Sequence, residues 1–108
     1  MNHLKLDFLV GERVELTAHE GVLVISGGER GSIFIYNKYT LEPEIIGSDN
    51  GEINFSATMS SVKYLIGVRA VFAFDNGVSV SVDLSASAHF GPESMQLRGP
   101  RGEIVVWR

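Results

Sequence analysis

Few side chains in this sequence carry the chemistry that catalysis or metal binding requires. There are three histidines, His3, His19 and His89, and no cysteine. No histidine lies within metal-ligand spacing of another. Without a thiol there is no disulfide, no thiolate metal site and no cysteine nucleophile. No serine sits in a nucleophile-elbow pattern, and no carboxylate pair is set apart as in a glycosidase. Gly27-Gly28-Glu29-Arg30-Gly31 has the glycines of a phosphate loop but lacks the lysine and the following helix. It reads as a turn. These patterns predict a protein that is not an enzyme and carries no metal or cofactor.

The charged residues point to binding instead. Glu42, Glu44, Asp49 and Glu52 fall in one stretch that no Lys or Arg interrupts, and Tyr36 and Tyr39 precede it. Clustered carboxylates attract a basic partner and speed its docking. Tyrosine is a frequent interface anchor because it joins apolar area to a hydroxyl. Two plainer readings compete. The carboxylates can simply solubilise an edge strand, and Asp49-Asn50-Gly51-Glu52 offers hard oxygen ligands, though without EF-hand spacing. The formal net charge of -4 argues against a nucleic-acid binder, which needs clustered cations to displace phosphate counterions. It argues equally against an anionic membrane surface.

Strands must position these groups. Val, Ile, Phe, Tyr and Thr are frequent, and 12 glycines punctuate the runs. A repeat organises them: Leu9–Ser26 recurs, without a gap, as Leu65–Val82. Leu9-Val10-Gly11 matches Leu65-Ile66-Gly67, and Gly21 matches Gly77. Each copy reads as a hairpin. Val14, Leu16 and Ala18 form one apolar face and Ala70, Phe72 and Phe74 the other, with period two. His19-Glu20-Gly21 and Asp75-Asn76-Gly77 are the turns. Val78, Val80 and Val82 alternate with Ser79, Ser81 and Asp83, which predicts one dry and one wet face. In Ser32–Tyr36 Ile33 and Ile35 alternate with Phe34 and Tyr36, so both faces are apolar; one fills the core, and a neighbour or a partner must cover the other. Pro43 marks Tyr39–Ile46 as an edge strand or a bulge. Met59, Val62, Leu65 and Ile66 fall on one helical face, which predicts one short helix over 57–65, with strand as the competing reading.

The expectation is therefore an all-β single domain over 1–108, with about eight antiparallel strands and two pseudo-repeated halves. Such a set forms a β-sandwich or a closed barrel, and the sandwich is favoured. Met1-Asn2-His3-Leu4-Lys5 shows no signal pattern, and no apolar run approaches the roughly 20 residues of a membrane helix. A cytoplasmic protein is expected.

The frame Leu9-Val10-Gly11, Leu65-Ile66-Gly67, Asp75-Asn76-Gly77 and the closing Gly102-Glu103-Ile104-Val105-Val106-Trp107 resembles a family of short β-rich bacterial proteins of unknown function. In size, acidity and β-rich character the chain also resembles the immunity proteins of bacterial contact-dependent growth-inhibition systems. The second resemblance implies a protein without activity of its own. It would bind a basic nuclease toxin, such as a ribonuclease, and block its active site or RNA groove. The alternative expectation is a small-molecule-binding β-barrel, since eight strands can enclose one ligand.

Overall fold

The computed structural model describes residues 5–19, 21–42, 53–85 and 95–107. Among these residues nine strands form one antiparallel sheet: β1 (Arg13–His19), β2 (Val22–Ser26), β3 (Ser32–Ile35), β4 (Tyr39–Glu42), β5 (Ile53–Leu65), β6 (Arg69–Phe74), β7 (Ser79–Asp83), β8 (Met95–Arg98) and β9 (Ile104–Trp107). Their order is β4-β7-β6-β5-β1-β2-β3-β8-β9. A single buried cluster, including Leu16, Leu23, Ile33, Phe72, Val80 and Leu97, draws on both ends of that order. The sheet is thus curled around one core. Among the described residues it is not closed, because there β4 pairs only with β7 and β9 only with β8.

β5 is the shared element. Its first half pairs with β1, from Ala18↔Ile53 to Arg13↔Thr58. Its second half pairs with β6, from Met59↔Phe74 to Leu65↔Arg69. The two pairings overlap at Thr58 and Met59. Met59 N–H donates to Glu12 O at 3.1 Å, and Gly11 N–H donates to Met59 O at 2.8 Å. On the other edge Asp75 N–H donates to Thr58 O at 2.9 Å, and Thr58 N–H donates to the Asp75 carboxylate at 3.0 Å.

The expected helix over 57–65 is replaced by this strand, and a bulge explains the misreading. The β6 register slips between Met59 and Ser61. The extra residue, Ser60, donates its hydroxyl to Ala73 O at 3.3 Å. An added residue reverses the inward parity of a strand. Ala57 and Met59 face the core before the bulge, and Val62 packs against it afterwards. Met59 and Val62 therefore share a face three residues apart, which is helical spacing without a helix.

Both repeat copies form hairpins, and each lays its first strand on β5. Their leading turns match closely. Glu12 N–H donates to Leu9 O and Val68 N–H to Leu65 O, both at 3.0 Å. Gly11 and Gly67 hold the third position at φ +88° and +72°, a conformation that favours glycine. Burial, however, is inverted. Leu9 is 0% exposed and plugs the core, whereas Leu65 is 51% exposed. Leu9 has room because of Gly27, where a Cβ would lie 2.8 Å from Leu9 Cδ2. At the same offset the second copy carries Asp83.

Replacing Leu9 by alanine is expected to lower unfolding free energy by about 2–5 kcal/mol, against about 0.5 kcal/mol or less for Leu65→Ala. Urea unfolding of both variants checks this, and equal losses would contradict the inversion.

Candidate functional site

The outer face of β4, β7, β6 and the end of β5 gathers the polar groups. Val80, Val82, Ala70 and Phe72 point into the core, so alternation turns Ser79, Ser81, Asp83, Arg69 and Val71 outward. Register then fixes the rows. Thr40 lies beside Ser81, which lies beside Val71 and then Lys63. Arg69 lies between Asp83 and Leu65. A cleft of about 460 Å³ opens here, lined by Lys38, Thr40, Arg69, Ser81, Asp83 and Ser85, with Tyr39, Gly67 and Val68 completing it.

Backbone clips hold the cleft in shape. Asp83 N–H donates to Lys38 O at 2.9 Å, and Leu84 N–H donates to Val68 O at 3.0 Å. Asn37 is buried, and its Nδ2 donates to Asp83 O at 2.8 Å. Its Oδ1 has no hydrogen-bond partner among the described residues. Asn37 and Asp83 thus fix the crossing from β3 to β4. Nothing in the sequence marked Asn37, because its partner is distant along the chain.

The Asp83 carboxylate accepts from the Ser85 hydroxyl at 2.6 Å and the Ser85 N–H at 2.9 Å. These bonds, aided by the Lys38 charge, hold its carboxyl below the usual carboxylate range. Burial pushes the Tyr39 hydroxyl up. Lys38 and Arg69 are exposed, and neither forms an ion pair among the described residues.

The expected site residues are spread across this frame. Glu42 is exposed at the end of the edge strand β4. Tyr39, on the same strand, turns inward and packs against the core while also lining the cleft. Three positions apart on a strand, the two face opposite sides. Tyr36 is half-buried just beyond β3. Glu44, Asp49 and Glu52 lie outside the described residues, as do His3 and His89. Phe34, whose covering the sequence left open, is half-buried, and the Arg98 guanidinium stands 4.7 Å from its ring centroid.

Among the described residues no group of three or more His, Cys, Asp or Glu could hold a metal ion. No helix there is long and apolar enough to cross a membrane. Sequence reasoning missed the apolar turn Leu65–Val68 and the cations Lys63, Arg69 and Lys38 around it. The helical spacing of Met59, Val62, Leu65 and Ile66 hid the turn by placing its residues in an expected helix. No family model matches the chain, and no curated protein or solved structure matches it.

The Asp83 carboxyl is expected to titrate closer to the ordinary carboxylate range in Ser85→Ala, because its hydroxyl donor is lost. A depressed folded pKa contributes stability above the unfolded pKa, and that contribution disappears as pH falls through the folded value. The variant therefore loses part of it. An NMR titration of the Asp83 carboxyl checks this, and an unchanged midpoint would contradict the assignment.

Proposed function

We propose that the chain is a non-catalytic binding protein of the immunity type, which neutralises a basic nuclease toxin domain. It would cover the toxin's active site or RNA groove with a surface that imitates phosphate charge. The observation that carries this reading is the position of Glu42. It is exposed at the end of an edge strand whose outer side carries no ladder among the described residues, and it begins the acidic run. A partner strand can add to such an edge through main-chain hydrogen bonds. The carboxylates of Glu42, Glu44, Asp49 and Glu52 then supply steering and register. Tyr36 is the aromatic contact, and Tyr39 contributes only the part that lines the cleft.

A small-molecule-binding barrel would need an open interior. The described interior is instead packed with side chains such as Leu16, Ile25, Phe72 and Met95, all 0% exposed. The cleft described above opens on the outer face of the sheet, where polar side chains mix with Val68 and Tyr39, and not within the core. Both observations favour the protein-binding reading.

The test uses purified basic nuclease toxin domains as candidate partners. Glu42→Gln, Glu44→Gln, Asp49→Asn and Glu52→Gln together are expected to slow association about tenfold or more at low salt and to flatten its salt dependence. Unchanged affinity and unchanged salt dependence would refute the assignment.

A further inference from the structure

The turn Leu65-Ile66-Gly67-Val68 is an apolar finger with no core to fill. Ile66 is 84% exposed, Val68 53% and Leu65 51%. These three, with Tyr64, make up most of the large hydrophobic side chains exposed among the described residues. The first repeat copy shows what the same turn does when it serves folding. There Leu9 is fully buried against Gly27, on an identical backbone turn. In the second copy the socket is gone, yet Leu and Ile remain. The finger is also rigid at its base, because Leu84 N–H is bonded to Val68 O and Val68 N–H to Leu65 O.

Its surroundings are cationic. Lys63, Arg69 and Lys38 are all exposed, and none forms an ion pair among the described residues. Asp83, the nearby carboxylate, accepts from Ser85. We infer that this finger docks into an apolar socket rimmed by carboxylates on the same partner protein that the acidic β4 end engages. The inference rests on the binding reading above.

Charge selects this occupant. A lipid surface of anionic headgroups would meet Asp83 and Glu42 on the same outer face, on a chain of net charge -4. A protein can match both signs at once. Lys38, just before β4, and Glu42 at its end are four positions apart, about 13 Å at the usual strand rise. A standard interface of about 800 Å² per partner spans that easily. The outer face then offers an acidic end, a hydroxyl-lined cleft and a cation-collared apolar finger in one footprint. Apolar anchors that fill a pocket are where binding energy concentrates.

The experiment measures affinity of a purified basic nuclease toxin domain for the full chain, for Ile66→Ser, for Lys63→Glu/Arg69→Glu and for Val10→Ser. Val10 occupies the equivalent position of the first copy. Ile66→Ser is expected to weaken binding about tenfold or more, and the charge pair about as much. Val10→Ser should bind as the wild type does, and all variants should keep its circular dichroism and melting temperature. If the wild type binds and Ile66→Ser binds equally, the finger inference fails and the binding reading stands. If the wild type does not bind, both fail. Two further arms decide the occupant. Binding of the wild type to phosphatidylglycerol vesicles, or self-association in sedimentation velocity, that Ile66→Ser abolishes would overturn the inference.

Discussion

The pairing of β5 along both edges at Thr58 and Met59 is the constraint on which the rest depends. Four backbone groups there meet Gly11 and Glu12 on one side and Asp75 on the other. Each bond is modest in net terms, about 0.5–1.5 kcal/mol. Their effect is architectural. They lock the first hairpin to the N-terminal half of β5 and the second to its C-terminal half. The bulge at Ser60 then reverses parity, so that both halves present their apolar faces to one core. Without that reversal Val62 would point to solvent, and Phe72, its partner in register, would lose a neighbour.

The same arrangement creates the candidate binding face. The β5–β6 turn is carried beyond the core, and β4 is added at the outer edge of β7. Between them lies the cleft, shaped by Asn37, Asp83 and Leu84 through backbone bonds. Difference between the repeat copies thus becomes structural asymmetry. A glycine at position 27 accepts Leu9 and closes one end of the core. An aspartate at the equivalent position 83 turns its carboxylate to Ser85 and leaves Leu65 outside.

Much of the fold was legible in the sequence, because alternation is a local property. Val78 through Asp83 announced one dry and one wet face, and β7 buries Val80 and Val82 as that pattern requires. Asp75-Asn76-Gly77 announced a hairpin. Gly77 N–H bonds to Phe74 O and Phe74 N–H to Val78 O, with Gly77 at φ +87°. The bulge was not legible, since an inserted residue imitates helical spacing when only one strand is read. A ninth strand emerged because the interrupted stretch around 57–65 was itself a strand. The site was less legible still. Glu42 is exposed as its charge suggested. The cleft, however, arises from register between β4, β6 and β7, and register across long loops leaves no mark in local pattern. Leu65 and Ile66 fell on the apolar face of the helix expected over 57–65, and the strand and turn that replace it leave both exposed. Leu65 ends the shared strand and Ile66 lies in the turn beyond it, away from the core.

If β5 is the common strand of both hairpins, the two halves cannot open independently. Native-state amide hydrogen exchange tests this directly, since subglobal units that open separately show separate opening free energies. The slow amides of β1, such as Leu16, and of β6, such as Phe72, should exchange with one opening free energy equal to that of global unfolding, together with Met59. Two distinct values, with β6 and β7 opening while β1 and β2 stay protected, would contradict a single sheet held through β5.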